Sequence, residues 1–315
     1  MHEPRQAFEN TPWGRQNSHP YSEKGENCQM KNTFLIYAKL LSVLMLCLMC
    51  PTMVNAEFKI AIMQAQRGDA KHYRPLLDYL KINGVEASFA ASQSYPHAAE
   101  LFANGSVDGM FSGSGIAGCM LIKDLAYPLA RPVHLEGWST YWAVVIGPKG
   151  SRKFTQDSGY FNGKRVIFCG LASSGEFYFH SIAGTAEHGA TILKASSHGA
   201  ALDALSRKAA DIAIVKNRIW EKTKNKYPEL VFLGEDPGEN PDGTLIISRH
   251  AEAVVVERLL NALLRLENDP SPEAMAAKKH LGIKGYLRTT VDDFKFTIPL
   301  LEKAGVDKGF NFEFK

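Results

Sequence analysis

The sequence predicts an α/β fold of two lobes joined by extended chain, and three observations predict it. Short apolar runs alternate with helical patterns from Phe58 to Phe111, helical period is lost between Val133 and Ile146, and a second alternation starts at Lys164. Alternation at this spacing makes βαβ units, hence mainly parallel sheets with flanking helices. Phe58 to Ala65 (FKIAIMQA) is a buried strand, rich in Ile and Ala. Arg74 to Ile82 (RPLLDYLKI) sets Leu76, Leu77, Tyr79 and Leu80 at helical spacing, and Asn83-Gly84 stops it. Val85 to Ala91 is a second strand and Pro96 to Asn104 a second helix, ended by Gly105. Val107 to Phe111 is a third strand, running into the glycine-rich turn Ser112-Gly113-Ser114-Gly115.

Val133 to Ile146 is rich in β-branched and aromatic residues and reads as extended chain. A second unit starts with the strand Lys164 to Cys169, followed by a helix from about Ser174 and a strand near Ala190 to Leu193. The helix Ala200 to Lys208 and the strands Asp211 to Val215 and Leu230 to Leu233 come next, and Thr244 to Ser248 reads as a return crossover. The remainder is mainly helical, over Ala251 to Leu266 and Pro272 to His280. Extended segments at about 135–147 and 238–248 make a hinge, with 57–137 plus 245–315 as lobe one and 138–244 as lobe two with the hinge segments. Open α/β sheets bind ligands at the carboxyl ends of their strands, so the loops after the strands should line the cleft.

An export signal precedes this chain. Lys31 and Lys39 supply positive charge, Leu40 to Cys50 is an apolar run interrupted by Ser42 alone, and Val54-Asn55-Ala56 places small residues for cleavage after Ala56. The run is short for a bilayer span, and the alternative is a retained anchor. Leu48-Met49 before Cys50 lacks the small residue of a lipoprotein signal. Met30-Lys31 makes an ordinary start for a signal peptide over 30–56, so 1–29 reads as a disordered or mis-started leader. The expected place of work is the periplasm.

Cleavage leaves 259 of the 315 residues, with 31 basic and 29 acidic side chains. That near-neutral balance, with no basic run interleaved with aromatics, argues against nucleic acid as a partner. Cys119 and Cys169 remain, and two thiols so far apart make no metal box; they read as buried small hydrophobes, with a single disulfide as the alternative. No H-E-x-x-H and no P-loop occurs, so no metal and no cofactor is expected.

Several short signatures, taken in order, resemble a known family. They are Tyr73 to Leu80 (YRPLLDYL), Ser94-Tyr95 followed by Gly105-Ser106-Val107-Asp108, and Tyr141 in the crossover. Ser173-Ser174-Gly175 and Ser197-His198, followed by Ala210-Asp211, complete the set. Together they resemble the periplasmic solute-binding proteins of phosphonate/phosphite ABC transporters, over about residues 57–300. The resemblance implies a type II periplasmic binding protein fold and a monomer that captures a small phosphorus oxyanion for an ABC permease.

An oxyanion needs several donors aimed at few oxygens, and a helix N-terminus offers unpaired N–H groups with partial positive charge. Ser173, Ser174 and the N–H groups around Gly175 follow a strand and precede a helix; an ordinary serine cap fits the same pattern. Ser112 and Ser114 take the equivalent place in lobe one, as a second donor set or as a tight turn using glycine at positive φ. The resemblance implies ligand contacts from Tyr95, in the loop after the second strand, and from His198. Surface packing and a helix start are the plain alternatives. One of Tyr141 and Trp142 should face the cleft, because neighbours on a strand point opposite ways, and the resemblance picks Tyr141. If His198 ionises near its ordinary value, anion affinity should rise in mild acid.

Aminoalkylphosphonate binders balance the ligand amine with acids, but the loop after Asp211 to Val215 reads Lys216-Asn217, and the first strand ends near Gln64, Gln66 and Arg67. The expected ligand is therefore a compact anion without an amine, with Asn217 and Arg67 as further candidate contacts. Arg74 and Arg131 read as surface residues. A serine hydrolase using Ser173 or Ser174 with His198 and Asp211 is a remote alternative, since no G-x-S-x-G elbow is present. Presentation of the ligand to a membrane sensor kinase or chemoreceptor remains open. A fused sensor is disfavoured because the sequence ends at Lys315 without a second apolar span.

Overall fold

Strands with alternating burial and helices with local caps build two sheets from this sequence. The computed structural model describes residues 57–63, 69–92, 94–170, 173–183, 189–312 and 314. The export signal, the leader before it and Arg67 lie outside the described residues. Lobe one begins with β1 (Phe58–Met63), α1 (Arg74–Ile82), β2 (Ala87–Ser92), α2 (Tyr95–Ala103), β3 (Gly109–Ser112), α3 (Ser114–Ile122) and β4 (Ala126–His134). The chain then crosses through β5 (Thr140–Tyr141) into β6 (Ala143–Pro148), β7 (Arg165–Cys169), α4 (Ser174–Ala183), β8 (Thr191–Ala195) and α5 (His198–Ser206). It continues through β9 (Ile212–Lys216), α6 (Asn217–Thr223) and β10 (Leu230–Glu235). It returns by β11 (Asn240–Pro241) to β12 (Thr244–Ser248), α7 (Ala253–Arg265), α8 (Pro272–Leu281), β13 (Ile283–Arg288) and α9 (Thr297–Lys303).

One sheet has the order β13-β4-β12-β3-β1-β2 and the other β10-β6-β9-β7-β8. β1 pairs in parallel with β2 and β3, as β7 does with β8 and β9. Antiparallel pairs enter with the strands that carry the chain between lobes: β12 beside β3 and β4, and β6 beside β9 and β10. The two crossings hydrogen-bond to each other, with Asn240 opposite Tyr141 and Pro241 opposite Thr140. Because this ribbon joins the two passages, it is where a hinge would bend.

Both faces of both sheets are covered. Ile60, Ile62, Leu245 and Ile247 pack with α1, α7 and α8, while their neighbours Ala61 and Ile246 pack with α2, α3 and α9 on the opposite face. In lobe two Val166, Phe168 and Ile214 meet Tyr178 and Phe179 of α4; Ile167, Ala213 and Val215 meet α5 and Trp220 of α6. Period-two alternation thus sends consecutive residues into different cores. Helix α4 serves both lobes. Its Phe177, 1 % exposed, packs with Ile116, Phe294 and Leu301 of lobe one, and Phe310 and Phe314 lie edge-on or tilted against its ring.

Several local readings change. Tyr95 is not in a loop: Ser94 accepts a hydrogen bond from the His97 N–H, Pro96 occupies the first turn, and Tyr95 opens α2. The Ser112–Gly115 segment is a strand-to-helix junction, in which Gly113 caps α3 with extended backbone (φ −68°), so no positive φ is used. Within the stretch read as mainly helical, β13 forms because Gly282, at φ 65°, ends α8 and turns the chain back along β4. Gly285 within it admits Glu267, whose Cβ would lie 2.6 Å from an added Cβ. Arg131 is buried, paired with Asp293 at 3.0 Å and bonded to Thr289 and Ser139, whereas Arg74 is exposed. Both cysteines are free thiols, Cys119 buried and Cys169 partly exposed.

Truncation of a fully buried aromatic costs about 3–5 kcal/mol. Phe177→Ala is expected to lose that much in urea unfolding, because the cavity opens between the lobes; a loss under about 1 kcal/mol would show that this packing contributes little.

Candidate functional site

The carboxyl ends of β3, β7, β8 and β9 converge on one small cavity. Gly113 and Gly115 reach it from lobe one and Tyr141 from the crossover. Cys169, Ser173, Ser174, His198 and Lys216 reach it from lobe two. Its volume of about 20 Å³ is room for roughly one water. The site is therefore nearly sealed.

Three helices start at this cavity. α3 and α4 approach from opposite lobes, and α5 starts at His198 behind its cap Ser197, which accepts the Ala200 N–H at 3.0 Å. First-turn N–H groups without intrahelical partners give each N-terminus a partial positive charge. Gly175 is required for the close approach of α4, since an added Cβ would lie 2.7 Å from the carbonyl oxygen of Ile214 on β9. The hydroxyls divide in use. Ser173 accepts the Glu176 N–H at 3.3 Å and is a helix cap, whereas Ser174 Oγ is buried with no hydrogen-bond partner. Ser114, 3 % exposed, meets the Tyr141 hydroxyl at 2.5 Å across the lobe boundary, and Ser112 bonds to the Gly113 carbonyl.

His198 keeps part of its surface accessible, but its Nδ1 is buried without a partner. Burial, then the charges of Lys216 and Arg218, push its pKa down to about 3 against the opposing pull of Asp242. The condition for acid-enhanced binding through His198 is therefore not met: the ring is neutral across the physiological range. Lys216 Nζ lies 4.2 Å from the Tyr141 ring centroid and donates to Asp242 Oδ1 at 2.8 Å. Arg218 also donates to Asp242 while its guanidinium lies 3.2 Å over Trp138, which stacks on His134. Burial opposes ionisation of Asp242, but Lys216, His134 and Arg218 hold its carboxyl well below the usual carboxylate range.

Of the predicted site residues, the structure brings Tyr141, Ser173, Ser174, Gly175 and His198 to this region, with Ser114 bonded to Tyr141. Gly175 contributes through its α4 backbone, and Ser114 and Ser174 also line a second small cavity behind the first. Asn217 accepts the Trp142 N–H at 3.3 Å and braces the crossover. Tyr95 lies at the N-terminus of α2. Trp142 points elsewhere, donating to Glu235. Asp211, the acid of the hydrolase alternative, is committed to Arg165, accepting from its backbone and guanidinium. Sequence reasoning missed Lys216 as a lining residue, together with Cys169 and Asp242. A lysine closing an apolar strand was the available signal, whereas Asp242 had none. Among the described residues no group of His, Cys, Asp and Glu could hold a metal ion, and no helix is long and apolar enough to cross a membrane.

The family model described as the periplasmic substrate-binding protein of phosphonate ABC transporters matches residues 60–294. The chain belongs to that family. Solved structures agree in fold. A Xanthomonas citri protein bound to ATP superposes with a TM-score of 0.65 at 14 % identity, covering 79 % of this chain and 96 % of its own. PhnD1 of Prochlorococcus marinus in complex with methylphosphonate has a TM-score of 0.62 at 16 % identity, covering 79 % and 98 %. A binding protein component of a Pseudomonas aeruginosa ABC phosphonate transporter has 0.57 at 15 %, covering 75 % and 82 %. Curated proteins contain no match. The fold is thus the two-lobe type II periplasmic binding protein, and the family is one of extracytoplasmic solute-binding transport proteins.

The depressed His198 value has a sign. Between pH 6.5 and about 3 the unfolded chain takes up a proton there that the folded chain does not, so stability is whole above 6.5 and falls as pH drops through that window. The His198→Gln variant is expected to lose less melting temperature than wild type between about pH 7.5 and about pH 4.5; equal losses would refute the neutral ring.

Proposed function

We propose that this protein captures a small tetrahedral phosphorus oxyanion, a phosphonate, phosphite or phosphate, and delivers it as a monomer to an ABC permease. One observation carries the reading: two buried polar atoms without partners, Ser174 Oγ and His198 Nδ1, line one cavity together with Tyr141 and Lys216. Buried polar groups are normally satisfied, and an unpaired one costs about 1–3 kcal/mol, so a pair of them around one space fits a place for a polar ligand. The bound methylphosphonate of the Prochlorococcus protein supports the ligand class.

Capture is reversible and involves no bond making. Ser174 and the N-terminus of α4 hold the anion from lobe two, and the α3 N-terminus with Ser114 and Tyr141 approaches from lobe one. These contacts exist together only when the lobes meet, so the ligand shifts the population towards the closed form. A cavity of about 20 Å³ admits no phosphonate without the lobes parting first, and opening breaks the Ser114–Tyr141 bond. Neutral His198 donates one N–H, leaving Lys216 and the helix termini to balance the charge. Export through the 30–56 signal, with cleavage after Ala56, puts the protein where its permease is.

A thermal-shift series with phosphate, phosphite, methylphosphonate and sulfate tests the reading. Ligand at about 100 times its Kd adds about 2.7 kcal/mol, or about 5–10 °C for a chain of this size. Ser174→Ala and His198→Ala are each expected to weaken binding by about 1.5–3 kcal/mol while leaving the empty protein's melting nearly unchanged at neutral pH. No response to any phosphorus oxyanion would overturn the function.

A further inference from the structure

The charge around the cavity is lopsided. Lys216 is the only lining side chain with a formal charge among the described residues, and no carboxylate lines the space. Its ammonium is held in place, between the Tyr141 ring at 4.2 Å and Asp242 Oδ1 at 2.8 Å. Asp242 is not open to another cation: it also accepts from Arg218, lies 3.7 Å from His134 Nε2 and is 8 % exposed. The other acids near the site are committed too. Glu176, on α4, pairs with Lys194 at 3.1 Å. Asp236, in the cavity behind Ser114 and Ser174, accepts from the Gly238 N–H at 3.0 Å and from Asn240 at 3.1 Å.

We propose that Lys216 contacts the bound anion and sets specificity, with Asp242 as its built-in counter-ion, so that the site admits amine-free oxyanions and rejects aminoalkylphosphonates. This rests on the oxyanion reading above and names the substrate class within it. The protein's own ammonium lies at the cavity wall, and among the described residues no acid lines the space to receive a ligand amine. A zwitterionic ligand would bring its ammonium against Lys216 in a water-poor space, where like charges repel more strongly than in bulk water. Specificity then comes from a repulsive element as much as from attraction to the anion. The two cations and one carboxylate of Lys216, Arg218 and Asp242 leave one net positive charge for the anion to balance.

Calorimetric titration of the purified protein with methylphosphonate and with 2-aminoethylphosphonate tests this, alongside Lys216→Gln and Lys216→Arg. Wild type is expected to prefer methylphosphonate by at least about 10-fold, roughly the weight of one desolvated charge contact. Lys216→Gln should weaken methylphosphonate about 10-fold and narrow the preference, and Lys216→Arg should keep it. Wild type binding both ligands equally, or the amine more tightly, overturns the role of Lys216 and leaves the oxyanion reading standing. An unchanged preference in a folded Lys216→Gln does the same. Binding of neither ligand, nor of phosphite, overturns both. Should Lys216→Gln fail to fold, the wild-type preference and its retention in Lys216→Arg decide.

Discussion

The buried carboxylate of Asp242 is the interaction around which the cleft is organised. It sits in the return crossover, accepts from Lys216 and Arg218 of lobe two, and lies beside His134 of lobe one. A buried carboxylate is tolerated only when its partners replace the water it has lost. Here that requirement fixes where both cations can be. It draws the end of β9 towards the hinge, holds Lys216 against Tyr141, and seats Arg218 on the Trp138–His134 stack. Chain crossing, cavity wall and site charge are thereby tied to one side chain.

The remaining attraction for an anion comes from backbone. Three helix N-termini meet at the cavity, and the parallel pairing of β1–β3 and β7–β9 is what brings them there, because each helix starts where a strand of the same direction ends. Dipoles and N–H groups need no counter-ion, so they hold an anion without the desolvation cost of several buried charges. A neutral His198 suits this arrangement, since a third cation beside Lys216 and Arg218 would be costly.

Helix α4 links the site to the core. Ser173 and Ser174 at its start line the cavity, while Phe177, less than one turn after Ser174, belongs to the core of lobe one and Tyr178 and Phe179 to that of lobe two. Movement of the lobes must therefore repack Phe177 or carry it along, and the aromatic residues Phe310 and Phe314 of the C-terminal segment lie against it. Lobe closure and the position of the first N–H groups of α4 are one mechanical problem.

The sequence by itself determined the two-lobe α/β class and the approximate span of most strands and helices, because period-two and period-3.6 patterns are local consequences of burial. It also pointed to Ser174, Tyr141 and His198, each beside a strand end where short signatures could be read. Tertiary structure alone decided the rest. It separated Ser173, spent as a cap, from Ser174, left unbonded, which two adjacent serines cannot announce. It buried Arg131 by supplying Asp293 from a distant part of the chain, and it silenced the charge of His198 by burying the ring and then by setting Lys216 and Arg218 near it. It also made Lys216 a cavity residue by giving it Asp242, twenty-six positions on. Protonation, pairing and exposure depend on groups far apart in sequence, and only the folded chain brings those groups within bonding distance.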